Sequence, residues 1–171
     1  RVLFRSRVDK VRGLVAKRYE RLGLVADAST MDAAIEKLML GNADATPPTG
    51  VLSVTHPGRG LAPLEIRTQP GQNYYVKIVE WATKAEAVTA FIRGGEHFET
   101  AIPLGSYEIK YATGESWYGP ILDFGERASY SRCEDRFDFT ASINGYNGYT
   151  LELIIQRNGN LDTDPIPAID F

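Results

Sequence analysis

Hydrophobic positions along this chain follow two different periods. In residues 7–41 they recur at helical spacing. Val8, Val11, Leu14, Val15, Tyr19 and Leu22 share one face and stop at Gly23, which predicts a first helix. A second helix is predicted before Gly41: Ser29 or Thr30 suits its N-cap, Asp32 its first turn, and Ile35, Leu38 and Met39 lie on one face. Two helices this short bury little alone, so they must pack on each other or on the rest of the chain. Residues 42–60 hold three prolines and several glycine and asparagine breakers around one short apolar patch, a linker composition.

From Leu61 onward the period becomes two. Leu64 and Ile66 alternate with Glu65 and Arg67 ahead of a Pro70-Gly71 turn. In the stretch NYYVKIVEW, Tyr74, Val76 and Ile78 fall on one face, and Tyr75, Lys77, Val79 and Trp81 on the other. Apolar residues on both faces mark a central strand. AVTAFIR runs to a Gly94-Gly95 turn, HFETAI follows, and Pro103-Leu104-Gly105 turns the chain into SYEIKYA with Tyr107, Ile109 and Tyr111 inward. Phe137 and Phe139 pair on one face, as do Tyr149, Leu151, Leu153 and Ile155, and a proline-broken tail offers Ile166, Ile169 and Phe171 for docking. The fold class expected is mainly β: an antiparallel β-sandwich with a short N-terminal helical segment. The boundaries follow from the change of period: a helical segment over 7–41, a linker over 42–60 and a sandwich over 61–171 that folds alone. Residues 1–6, RVLFRS, match the translation of a common sequencing-adapter end. They are expected to be a scar on a metagenomic fragment whose natural chain extends upstream.

Composition changes this picture in one respect. Residues 1–22 carry eight Lys/Arg against two Asp/Glu, whereas residues 61–171 carry nine against sixteen. An acidic main domain disfavours nucleic acid, whose phosphates need a positive stripe. The basic lead reads as the solvated face of a helix. No run of the sequence has the ~18 apolar residues of a membrane span.

Candidate chemistry is sparse. The single cysteine, Cys133, excludes an internal disulfide and any multi-cysteine zinc site, and its neighbourhood reads as that of an inert, partly buried thiol. His56 and His97 are the two histidines, and neither has sequence neighbours that complete a zinc or Cys-His site. No nucleophile elbow, P-loop or dinucleotide fingerprint occurs. Glu134, Asp135 and Asp138 are interleaved with Arg132 and Arg136, the pattern of a solvated strand face. Asp162 and Asp164, with Asn158 or Asn160, lack the spacing of a calcium loop. The expectation is therefore no catalytic residue, no metal and no cofactor.

Aromatic residues stand above this background: nine Tyr, seven Phe and two Trp. Trp117 and Tyr118 lie between Gly114 and Gly119-Pro120, and Tyr146 sits at the tip of NGYNGY. Rigid amphipathic rings at loop tips suit contact with protein or carbohydrate. Trp117, Tyr118 and Tyr146 are the expected contact residues, with at least one of Trp117 and Tyr118 exposed at a rim. A Trp folded back to close the sandwich end is the alternative.

The passage from Phe91 to Ala112 resembles PEGA-type and carboxypeptidase-regulatory-like modules, small bacterial β-sandwiches of the prealbumin-like class. Ile102, Pro103, Gly105, Tyr107 and Ile109 occupy the positions of their turn-and-strand signature, with Leu104 where a second proline is frequent. The resemblance implies a noncatalytic accessory domain, often on exported or envelope-associated proteins. Three functional expectations follow, in order: a binding or interaction module, a structural spacer of an envelope-associated protein, and a carboxylate-based hydrolase.

Overall fold

The computed structural model describes residues 2–153 and 163–171. Helix α1 spans Val2–Arg21 and α2 spans Ala28–Leu40. The α2 cap is Asp27, two residues ahead of the expected Ser29 and three ahead of Thr30; its carboxylate accepts from the Thr30 N–H at 2.7 Å. Gly41 closes the helix with φ of 69°, and its N–H and the next return to carbonyls of the last turn.

Twelve strands follow among the described residues: β1 Gly50–Val54, β2 Ala62–Thr68, β3 Asn73–Glu80, β4 Glu86–Ile92, β5 His97–Ile102, β6 Gly105–Gly114, β7 Ser129–Cys133, β8 Phe137–Phe139, β9 Ala141–Ser142, β10 Gly145–Tyr146, β11 Tyr149–Leu153 and β12 Thr163–Pro165. The large sheet runs β1-β4-β3-β6-β7-β12, with β8 also on β6. A second sheet has the order β11-β2-β5, and β9-β10 is a separate hairpin. Both larger sheets are open. The protein is mainly β, and among the described residues every pairing is antiparallel except β11 with β2, which is parallel.

Period-two residues from both sheets merge into one apolar cluster. Leu64, Ile66, Phe98, Leu151 and Leu153 come from the smaller sheet, and Tyr74, Val76, Ile78, Val88 and Ile109 from the larger. Tyr107, the tyrosine of the turn-and-strand signature, is buried here, while Tyr111 is half-buried at its margin. Ile155 lies outside the described residues.

The other face of the large sheet is covered differently. Tyr75, Phe91, Ala112 and Tyr130 meet Trp117, Phe124 and Phe171, which arrive from the 115–128 connection and the C-terminal tail. Outside this layer, Val11 and Val15 of α1 and Ala34, Ile35 and Leu38 of α2 pack on Leu122, with Tyr118 and Ile121 partly buried beside them. The helices are thus a third layer.

The 42–60 segment corrects the expectation of a linker. It contributes β1, an edge strand paired with β4. Arg93 donates to the carbonyls of Pro47 and Thr46 at 2.8 and 3.0 Å, and the Asp44 N–H donates to the Trp117 carbonyl at 2.7 Å. Its prolines and glycines give an extended, pinned path, because donors from distant strands satisfy its backbone. Among the described residues, no helix is long and apolar enough to cross a membrane.

Candidate functional site

Trp117 is a core plug. Only 3% of it is exposed, and its ring meets Tyr75 and Phe91 edge-on at 5.1 Å and Phe124 at 5.4 Å. For Trp117 the expected rim exposure is corrected, and the ring folded back over the sheet is the arrangement found, while Tyr118 keeps part of its surface exposed. Strand register ends at Gly114, where Phe124 lies so close that a Cβ would collide with its ring, and the chain folds back over its own sheet. Tyr118 is half-buried against the helices, its N–H held by the Asp123 carbonyl at 2.8 Å. Tyr146 is exposed on the β9-β10 hairpin.

Beneath this lid is a buried ionic cluster. Arg18 of α1 donates to the Asp123 carboxylate, to the Tyr130 hydroxyl and, at 3.3 Å, to the Leu122 carbonyl. Tyr130 in turn donates to Asp123 at 2.8 Å, and so does the Phe124 N–H at 2.9 Å. Asp123 adopts a left-handed backbone, φ 41°, and these bonds hold it there. Arg21 stands 3.8 Å from the same carboxylate, and burial lowers its pKa while Asp123 opposes the shift. Lys77, on the helix-facing side of β3, is buried against Glu86 at 2.5 Å and lies over the Phe171 ring; desolvation lowers its pKa and Glu86 partly restores it. These charges are paired within the fold and bind the helices to the sheet, although Nε of Arg18 and Nε and Nη2 of Arg21 are buried without a hydrogen-bond partner.

Exposed apolar residues follow the strand termini at one end of the large sheet. β3 ends at Glu80 opposite Tyr107, β6 begins at Gly105, and β8 leaves the sheet at Phe139 opposite Gly105. Beyond those termini come Trp81, 39% exposed, Leu104, 37%, and the hairpin bearing Ile143, 100%, and Tyr146, 47%. The Trp81 N–H donates to the Ser106 carbonyl at 2.9 Å. Lys84 Nζ lies 4.4 Å and Arg136 Cζ 5.9 Å from the centre of its ring. Sequence reading placed Trp81 on a strand face and passed over it. Its position one residue past the last paired residue, in the Thr-Lys turn WATKAE, was the available signal.

The polar candidates fall in separate places. Cys133 is buried in the apolar cluster, and desolvation pushes its thiol up to about 12, which leaves it inert. Asp138 is held below the usual carboxylate range by Ser106 and Arg136. Glu134 and Asp135 lie in the turn between β7 and β8, and Asp164 is 3.6 Å from Arg132. Asn158, Asn160 and Asp162 lie outside the described residues. His56 sits 3.2 Å from Glu80, and its Nδ1 accepts from the Gly58 N–H at 2.8 Å.

His97 differs from the expectation that it lacks neighbours. On the outer face of the smaller sheet its Nε2 is 3.2 Å from both Glu65 Oε1 and Glu99 Oε1. Glu65 and Glu99 are cross-strand partners, and Glu99 follows His97 by two residues on the same face. Arg67 Nε and the Thr150 hydroxyl also hold Glu65, at 2.6 and 3.3 Å, and Arg67 leads in lowering its pKa. The two carboxylates border a groove of about 500 Å³ between β2, β5 and β11, lined by Pro63, Thr100, Gly148 and Tyr149 as well. The imidazole fills the gap between the carboxylates, so the pair does not flank an open space of the kind glycoside hydrolysis needs.

Compared with family models, curated proteins and solved structures, the chain matches none.

Proposed function

We propose that this chain is a noncatalytic interaction module, built as a β-sandwich braced by two helices, that binds a protein partner through the sheet end carrying Trp81. The observation that carries this reading is the collection of Trp81, Leu104, Ile143 and Tyr146 beyond the termini of β3, β6 and β8. Large apolar side chains grouped in this way mark contact surfaces, whereas scattered ones do not. Trp and Tyr supply rigid contact area at low entropic cost, and Lys84 and Arg136, paired with Glu108 and Asp138, hold the indole in place. Branched aliphatic residues among the rings favour protein over carbohydrate, because sugars stack on flat aromatic faces. The PEGA-type resemblance fits an accessory role, as analogy only.

The test is differential capture by the full chain and by a Trp81→Ala/Ile143→Asp variant of matched melting temperature. A protein retained by the first and lost by the second supports the reading. Equal capture by both overturns it, and a glycan bound by the first alone would replace the protein partner with carbohydrate.

A further inference from the structure

Glu65, His97 and Glu99 come from two neighbouring strands and present one nitrogen and two oxygens within 4.8 Å of one another. We propose that these three side chains form a surface site for a divalent transition-metal ion of the zinc class. The site lies on the smaller sheet and does not depend on the interaction-module reading.

Geometry is the first argument. Zinc binds imidazole nitrogen and carboxylate oxygen at about 2.0 Å in tetrahedral sites, so neighbouring ligand atoms stand roughly 3.3 Å apart. Both N···O separations at His97 are 3.2 Å, close to that edge. A single Nε2 proton cannot serve two carboxylates fully, whereas a metal between the three atoms satisfies all of them. The imidazole ligand selects a transition metal over calcium, which takes six to eight oxygens at about 2.3–2.6 Å.

Electrostatics and support are the second argument. Glu65, Glu99 and Glu152 on this face outnumber Arg67, and the resulting negative charge favours a divalent cation. Arg67 is the competitor for Glu65 Oε1, but its side chain is half exposed and already reaches Glu152 at 3.7 Å, so it has somewhere to go. Thr150 holds the other oxygen of Glu65, which orients that ligand. The remaining coordination positions are left to water.

Calorimetric titration of the metal-free full chain with zinc alone tests the site. One equivalent is expected to bind saturably and to raise the melting temperature, since a ligand of the native state stabilises it. His97→Ala should weaken binding by at least about tenfold, the scale on which metal sites respond to loss of a supporting group. Glu99→Gln, at a position 73% exposed, should weaken it without touching the fold. His56→Ala should bind as the parent does. Absence of saturable binding, or binding that His97→Ala and Glu99→Gln leave intact, overturns the proposal.

Discussion

The two faces of the large sheet are built on different principles, although the same strands supply both. Along β3, Tyr74, Val76 and Ile78 enter an apolar cluster closed by the smaller sheet, while Tyr75, Lys77 and Val79 point toward the helices. The first face is sealed by regular strands whose own alternation announces which side is buried. The second is sealed by a connection, a tail and two helices, and it encloses charges. Arg18 and Asp123 are 105 residues apart in sequence, yet neither is tolerable in the interior without the other. A period can specify a face. It does not say what will cover it.

The largest effect should come from removing the cover. Deleting residues 1–60 takes away Arg18, the α2 face under Leu122 and the edge strand β1, and it strands Asp123 beside an exposed aromatic layer. Thermal or denaturant unfolding of the remaining chain should lose its cooperative transition. A sharp transition near the parent's would show that the first face alone holds the domain.

Trp117→Ala probes the second face within the full chain. Its ring is enclosed by Tyr75, Phe91 and Phe124, so truncation should cost about 3–5 kcal/mol by equilibrium denaturation. A loss below about 1 kcal/mol would mean that the layer repacks without it.

Cys133 probes the first face through pH. Burial raises its folded pKa to about 12 from 9.0, so the unfolded chain loses the thiol proton first as pH rises. The stabilisation is complete below pH 9 and is lost progressively toward about 12. Cys133→Ala should therefore show a shallower loss of stability than the parent across that window, with the difference between the two curves measured by denaturation. Parallel curves would place the thiol in contact with water.

Much of the fold was legible. Both helices, the paired faces of β3, and the inward Tyr107 and Ile109 follow from periodicity and turn residues, because each depends on a local spacing. Three features were not. The parallel pairing of β11 with β2 depends on which strands meet, which alternation does not encode. The fixed path of residues 42–60 depends on Arg93, Trp117 and β4, donors and acceptors far along the chain. The burial of Trp117 depends on Phe124 folding back over Gly114. Of the candidate metal ligands, His97 and Glu99 share a face by their two-residue spacing and were readable as a pair, but Glu65 joins them only through strand pairing.

The smallest effect should separate the two tryptophans. Trp81 has the same side chain as Trp117 but stands past the end of β3, with Lys84 and Arg136 as its principal ring partners. An exposed cation–π contact contributes roughly 0.5–1 kcal/mol, and Trp81, 39% exposed, buries only part of its apolar area. Trp81→Ala should thus cost clearly less than Trp117→Ala, whose ring is fully enclosed. Fluorescence gives an independent reading, since the emission lost in Trp81→Ala should be the red-shifted, iodide-quenchable part and that lost in Trp117→Ala the blue-shifted, protected part. A large stability loss at Trp81, or emission from it that iodide cannot reach, would make this end of the sheet a second core rather than a contact surface.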